Sequence, residues 1–172
     1  SFVRITVHYD EPTPTTTTTH AHSQTTTTQP AVQARWSPLW PADPAGKRDV
    51  EVWRSLVEKY WGDKTHWNEN IVDCVLGIIY TESRGDPRAY LATYSTNGLM
   101  QHKATFWKAR AGASGFIDAN GLYATPWNAE ANIAAGAFTA EESVERYKNT
   151  WFQPWSKYPA YGSCPASSST SG

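Results

Sequence analysis

The segment at residues 68–83 constrains this chain most, because its apolar residues repeat at helical spacing and end on a carboxyl group. The apolar residues on one face of the predicted helix are Ile71, Val75, Ile78 and Ile79. Glu82 falls on the same face, one turn after Ile78. The pattern therefore predicts a helix that carries a carboxyl group where core residues are expected.

Signals at both ends of this segment place Glu82 in the last helical turn. Asn68 can cap the start of the helix, and residues 85–87, with the sequence Gly-Asp-Pro, stop it. The exposed carbonyl groups of a last turn disfavour an anion, and burial adds to this effect, so both favour protonated Glu82. A carboxyl group that is neutral near neutral pH can protonate a glycosidic oxygen. The simpler alternative is a helix-end Glu that turns to water.

Three sequence blocks together resemble the lytic transglycosylase and goose-type lysozyme-like superfamily, in its SLT-type form from phages and actinobacteria. Residues 82–89 resemble the family pattern E-S-x-x-N-P-x-A, and residues 98–101 match G-L-M-Q. Residues 125–136 resemble D-P-x-x-N-I-x-x-G, with Thr125 in place of the usual Asp. The resemblance covers residues 53–155, and the order and spacing of the blocks make it specific.

Two departures from the family pattern affect the predicted site. His102 follows the G-L-M-Q block where the family usually has Ile, and the later A-Y-N-A-G segment is missing. Tyr147, Trp151 and Trp155 are candidates to replace the side chains of that segment. The chain instead has a W-x-P-W-like ending, which resembles phage and actinobacterial members.

The resemblance implies a mainly α, lysozyme-like α+β domain with a buried catalytic helix. It also implies a peptidoglycan lytic transglycosylase or lysozyme (muramidase) that cleaves the MurNAc-GlcNAc β-1,4 bond without a cofactor. Glu82 acts in this scheme as the single general acid and base. A 1,6-anhydromuramoyl product is expected, because no second carboxylate has a fixed place in the motif. Hydrolysis through Asp86 or Asp118 is the alternative.

The same resemblance suggests residues that contact the glycan. The candidate substrate-binding residues are Ser83, Tyr90, Tyr94, Gly98, Met100, Gln101, Tyr147 and Trp151. Gln101 is expected to reach the N-acetyl group. Each of three others has a structural alternative: a hydroxyl bonded to a helix carbonyl for Ser83, a turn for Gly98 and core packing for Met100.

Composition and charge limit the partners of this chain. Its 172 residues can bury one sizeable core, and a net charge of -1 argues against nucleic acid as a partner. No apolar run is long enough to span a membrane. His20 and His22 lack Cys or carboxylate neighbours, so we predict no metal site. Peptidoglycan strands remain the expected partner, and an extracellular or virion-associated location is expected.

The chain divides into four parts by composition. Residues 1–10 alternate apolar and polar side chains and predict a lone strand, and residues 11–34 form a Thr/Pro-rich linker. Residues 35–164 form the predicted domain, and residues 165–172 form a Ser-rich tail. The strand is either the end of an upstream domain or adds to a sheet of another subunit through residues 2–9.

The two cysteines allow a long-range link. Cys74 lies in the predicted catalytic helix and Cys164 near the chain end, so either a disulfide joins them or both remain thiols. An extracellular location favours the disulfide. A rival function also stands: a non-catalytic, lysozyme-like subunit that binds walls or assembles on a virion or cell surface.

Overall fold

The structure is a computed structural model that describes residues 35–155 and Cys164. The predicted strand at residues 1–10, the linker at 11–34 and the tail at 165–172 lie outside the described residues. Assembly through residues 2–9 therefore stays a prediction.

The described residues form a mainly helical domain with a small sheet. The α-helices are α1 (Arg54–Trp61), α2 (Ile71–Ser83), α3 (Ala104–Ala113) and α4 (Ala129–Glu145). Short 3₁₀ helices cover Val50–Trp53, Ala92–Tyr94 and Gln153–Trp155. The strands are β1 (Tyr90–Leu91), β2 (Thr96–Asn97) and β3 (His102–Lys103), which form an antiparallel sheet in this order. The predicted mainly α class with some β-structure is confirmed.

Helix α2 begins later than the sequence predicts, but it ends where the sequence predicts. The Asn68 side chain accepts a hydrogen bond from the Asn70 amide at 2.8 Å and so closes a turn before the helix. The predicted start at Asn68 was therefore wrong, because that amide oxygen serves the turn instead of the helix. Arg84 ends the helix in the left-handed conformation, with φ 55°. Gly85 follows with φ 75°, and a side chain there would collide with the Arg48 carbonyl.

The main core packs α2 against α1, α4 and the aromatic segment at residues 151–155. The predicted apolar face of α2, formed by Ile71, Val75, Ile78 and Ile79, is almost wholly inaccessible to solvent. Trp61 of α1 lies in the same cluster, and its indole N–H donates to the Ile133 carbonyl at 3.2 Å. Burial of these large side chains is the dominant favourable contribution to folding.

Asn132 joins α4 to the turn between β2 and β3. Its Oδ1 accepts from the Met100 amide at 2.8 Å, and its Nδ2 donates to the carbonyls of Asn97 at 3.2 Å and Pro126 at 2.9 Å. The side chain is fully buried, so each bond replaces one that water would make. A Cβ on Gly98, which has φ 78°, would collide with this side chain, so the turn requires glycine there.

A disulfide joins Cys74 of α2 to Cys164, and the predicted pairing is confirmed. The two residues are 90 positions apart in sequence. By the loop-entropy relation, a link across such a loop stabilises the folded state by about 4 to 5 kcal/mol.

Within the part of the chain that the structure describes, none of the helices has both the length and the apolar character that a membrane crossing requires.

Candidate functional site

A cleft of about 950 Å³ opens between the end of α2, the sheet, α3 and the second half of α4. The 3₁₀ helix at Gln153–Trp155 closes part of its floor, because Trp155 donates from its indole N–H to the Met100 carbonyl at 3.0 Å. The cleft therefore brings together residues from elements far apart in sequence. Its size falls within the range of ligand sites in proteins.

Glu82 lies where the buried face of α2 reaches this cleft. The preceding residues on that face, Ile78 and Ile79, are fully buried, whereas Glu82 is half-buried and lines the cleft. Its place one residue before the helix end puts it among the carbonyl groups of the last turn. The structure thus places the carboxyl group at the boundary between the core and an open cavity.

Four of the predicted binding residues line the cleft with Glu82. Tyr94 and Tyr147 are exposed, with 57% and 59% of their surface accessible. Met100 borders the cleft but is fully buried, and its sulfur packs so closely on Gly136 that a side chain at that glycine would collide with it. Core packing is thus the main observed role of Met100.

The fourth residue, Gln101, uses its amide inside the hairpin. Its Oε1 accepts from the Thr96 hydroxyl at 2.7 Å, and its Nε2 donates to the carbonyls of Ala89 at 3.1 Å and Gly98 at 2.9 Å. The backbone of Gln101 is left-handed, with φ 55°. These bonds hold the turn that carries the cleft wall, so they support a structural role beside the predicted one.

Ser83 and Gly98 do not line the cleft, because each serves the local backbone. The Ser83 hydroxyl donates to the Ile79 carbonyl at 2.9 Å, as expected for a helix-end serine. Gly98 faces the Asn132 side chain in the interior. Both residues thus have the structural role that the sequence allowed as an alternative, a hydroxyl bonded to a helix carbonyl for Ser83 and a turn for Gly98.

Tyr90 and Trp151 also lie away from the cleft. Tyr90 is paired in β1 and borders a separate cavity of about 250 Å³ together with Trp107. Trp151 is buried, stacks on Trp67 with ring centroids 6.5 Å apart, and meets Trp61 edge-on at 6.0 Å. Trp151 is thus a core residue, and Trp155 is the tryptophan from this segment that reaches the cleft.

A buried imidazole lies in the wall formed by β3 and α3. His102 Nε2 is 3.0 Å from the Asn132 carbonyl oxygen, and its Nδ1 is 3.0 Å from Nη1 of Arg110. A carbonyl can only accept and a guanidinium can only donate, so Nε2 carries the proton and Nδ1 accepts. Burial, followed by the nearby Arg110 charge, lowers the pKa of His102 to about 3. His102 is therefore neutral across the physiological range.

Arg110 lies in the last turn of α3 and lines the cleft. Its guanidinium is 5.3 Å from the ring centre of Phe106, which is half exposed in the same wall. Burial lowers the pKa of Arg110, and the nearby Glu142 and Tyr147 partly offset this effect. Sequence reasoning missed both Arg110 and Phe106, because a cation and an aromatic ring on a short helix match no motif.

Other carboxylates differ in their access to the cleft. Glu142 lines it and accepts from Arg146 at 3.0 Å, and sequence reasoning did not find this group. Asp86 is buried outside the cleft and accepts from the Gly46 and Arg88 amides. It is a buried turn-capping residue, so its location gives no support to the alternative in which Asp86 takes part in hydrolysis.

Asp118 also lies outside the cleft. Its carboxylate accepts from the amides of Asn120 at 2.9 Å and Leu122 at 3.0 Å, which closes an exposed turn. Hydrogen bonds from the Ser37 side chain and then the Leu122 amide lower the pKa of Asp118. The predicted alternative, in which Asp118 positions water beside Glu82, has no support from this location.

Within residues 35–155 and Cys164, no three His, Cys, Asp or Glu side chains come together in a way that could hold a metal ion. Comparison with known proteins adds no assignment of the cleft. No family model matches the chain, and neither a curated protein nor a solved structure matches it.

Proposed function

We propose that this protein is a peptidoglycan-cleaving glycosidase with a lysozyme-like domain, which acts on the MurNAc-GlcNAc β-1,4 bond as a lytic transglycosylase. The observation that carries the proposal is the position of Glu82, half-buried at the end of a buried helix and open to a cleft of about 950 Å³. The first sequence block that resembles the superfamily begins at this residue, and the second contributes Met100 and Gln101 to the same cleft. An acid in such a place can reach a bound glycan and still be partly shielded from water.

The proposed reaction uses Glu82 twice. Glu82 first donates its proton to the O4 atom of the leaving sugar as the bond from C1 to O4 breaks. The N-acetyl oxygen of the substrate stabilises C1, and the C6 hydroxyl then attacks C1. Glu82 accepts the proton of that hydroxyl, which closes the 1,6-anhydro ring and restores the acid.

Glu142 is the residue that could instead support hydrolysis, which would give a product without the 1,6-anhydro ring. A hydrolase needs a group that activates water, and Glu142 is the second carboxylate among the described residues of the cleft wall. One of its oxygens already accepts from Arg146, and this salt bridge favours an electrostatic role over that of a base. This pairing supports the transglycosylase product over hydrolysis.

The aromatic rim of the cleft and the disulfide support the remaining parts of the proposal. Tyr94, Phe106 and Tyr147 line the cleft and are each at least half exposed, so their rings are accessible to pyranose faces. The disulfide between Cys74 and Cys164 suits an oxidising environment, in keeping with a secreted or virion-associated protein.

The decisive experiment compares two isosteric substitutions in the same cleft. Glu82→Gln preserves the side-chain shape but removes the proton, so we expect cleavage of purified cell walls to fall by about 10² to 10⁴-fold. Glu142→Gln removes a paired carboxylate, and we expect its rate to stay within about threefold of wild type. Turbidity loss gives the rates, and circular dichroism checks that both variants fold.

The products decide the reaction type. Mass spectrometry of the digest is expected to show 1,6-anhydromuramoyl ends. Reducing muramic acid ends, with a large rate loss in Glu142→Gln, would identify a hydrolase instead. Wild-type protein that binds walls without cleaving them would support the non-catalytic wall-binding function, and an active Glu82→Gln variant would remove Glu82 from the mechanism.

A further inference from the structure

Arg110 differs from Arg54 in the charge of its partner. Arg54 donates to Glu51 at 2.7 Å and to Asp73 at 2.8 Å, so two carboxylates balance its charge. Arg110 donates to the imidazole of His102, and no described carboxylate lies within ion-pair distance of its guanidinium. The imidazole fixes one end of the guanidinium but supplies no negative charge.

The surroundings of His102 keep this partner neutral. The Asn132 carbonyl accepts the Nε2 proton, and a second proton on Nδ1 would face the Arg110 cation. His102 therefore acts only as an acceptor toward Arg110. The side chain is 2% exposed, so the packing around it leaves the imidazole little freedom to turn.

The cleft wall thus contains a partly buried cation with unused donor capacity. A guanidinium has five N–H groups, and the structure shows one hydrogen bond from Arg110, through Nη1. A partly buried cation without a carboxylate in direct contact is unfavourable, and a planar carboxylate matches the fork of a guanidinium through two parallel hydrogen bonds. The described cleft wall also contains Lys103 and Arg146, so its three cations outnumber the carboxylates Glu82 and Glu142.

We propose that Arg110 binds a carboxylate carried by the glycan substrate, and that His102 is the positioning residue that holds the guanidinium. This inference rests on the proposed function and names the feature of the substrate that the cleft selects. Peptidoglycan offers that carboxylate from two sources. One is the free lactyl group of a muramic acid without peptide, and the other is a carboxyl group of an attached stem peptide.

Binding measurements in the Glu82→Gln background separate these sources without turnover. The ligands are a neutral N-acetylglucosamine tetrasaccharide, a peptide-free MurNAc-GlcNAc tetrasaccharide, and the same tetrasaccharide with stem peptides. We expect Arg110→Gln to weaken binding of a carboxylate-bearing glycan by at least about tenfold, as for a lost charge-assisted pair. Binding of the neutral tetrasaccharide is expected to change by less than about twofold.

Lys108→Gln is the matched control. Lys108 lies on α3 like Arg110, but it is exposed and outside the cleft, so this change removes the same charge from the same helix. Its affinities are expected to match those of the parent protein. Equal losses in Lys108→Gln and Arg110→Gln, or an equal loss for the neutral ligand, would overturn the proposal.

The ligand that loses affinity identifies the source of the carboxylate. A loss for the peptide-free glycan assigns the lactyl carboxylate, and a loss confined to the peptide-bearing glycan assigns the stem. If Glu82→Gln binds none of the three glycans, the proposed function fails and takes this inference with it. Glycan binding without any effect of Arg110→Gln overturns the inference alone.

Two substitutions at His102 test the positioning role. Gln can accept from Arg110 and donate to the Asn132 carbonyl, so His102→Gln is expected to keep the preference for carboxylate-bearing glycan within about threefold. His102→Leu fills similar space but cannot accept, and the preference is expected to fall about as far as in Arg110→Gln. The ratio of the two affinities is the readout, because a general loss of stability would lower both. An unchanged ratio in His102→Leu would remove His102 from the proposal.

Discussion

The last turns of α2 and α3 both border the cleft, but they carry charges of opposite sign. The acidic wall, formed by the end of α2, presents Glu82, and the basic wall, formed by β3 and α3, presents Arg110 with His102. A helix C-terminus carries partial negative charge, so it favours the cation on α3 and disfavours an anion on α2. Two similar helix ends thus carry groups of opposite charge, and only the arginine is favoured by the helix end that it occupies.

The two walls also differ in how they are held. Cys74 ties α2 to Cys164 through a covalent bond, and the basic wall rests on the hydrogen bonds of His102. Asn132 supports the basic wall twice, since its side chain holds the turn that leads into β3 and its backbone carbonyl holds His102. Removing the disulfide, the Asn132 side chain or the His102 imidazole should show how much each support contributes to the free energy of unfolding.

Removal of the disulfide is expected to have the largest effect on stability. Cys74→Ala with Cys164→Ala should lower the free energy of unfolding by about 4 to 5 kcal/mol, because the unfolded chain regains the freedom of the long loop. Denaturant unfolding measures this change. If the disulfide also acts locally, amide exchange should increase in α2 more than in α3, and equal increases would show that its effect is only global.

Asn132→Ala should come next and affect the basic wall through the turn that leads into β3. It removes the partners of the buried Met100 amide and of two carbonyls, and we expect a loss of about 3 kcal/mol. Asn128→Ala on the same helix is the control. It removes an N-cap bond to the Ala131 amide, with an expected loss of about 1 kcal/mol. Equal losses for the two variants would show that the Asn132 side chain adds no more to stability than a helix cap.

The pH dependence of stability should isolate the basic wall and have the smallest effect. His102 has a pKa of about 3 when folded and an ordinary value near 6.5 when unfolded, so the unfolded chain binds more protons between these values. Stability from this residue is fully present above pH 6.5 and falls as the pH decreases toward 3. Between pH 8 and pH 5 we expect a loss of about 2 kcal/mol.

His102→Gln should remove that part of the pH slope, whereas the same change at the exposed His66 should keep it. Thermal or denaturant unfolding at several pH values provides the comparison. A slope that is unchanged in His102→Gln would mean that the imidazole takes up protons equally in the folded and unfolded chain.

The acidic wall could be predicted from sequence, and the basic wall could not. Helical periodicity locates Glu82, because one apolar face and one stop signal are local in sequence. Having only two cysteines allowed a single pairing, and the expected extracellular location favoured the disulfide over two thiols. The pairing of His102 with Arg110 depends on how β3 meets α3, and the position of Glu142 depends on how α4 packs across the cleft. Neither relation leaves a periodic or compositional signal in a single sequence.

Local contacts explain why three residues that the resemblance suggested as glycan contacts do not line the cleft. Ser83 has a helix carbonyl within reach, and Gly98 must accommodate Asn132, so each has a local reason that operates without a ligand. Trp151 belongs to the core because Trp61 and Trp67 offer it aromatic surfaces. A motif position therefore predicts which element of the fold a residue belongs to better than it predicts which way the side chain points.

The covalent bond between Cys74 and Cys164 has a consequence for proteolysis. Every cleft-lining residue among those described, from Thr81 to Trp155, lies inside the ring that this bond closes, whereas α1 lies outside it. One peptide-bond cut anywhere between residues 75 and 163 leaves both pieces attached to each other. Such a nicked molecule gains the mass of one water and separates into two pieces only when a reductant opens the sulfur bond, so both walls of the cleft remain on one covalent body.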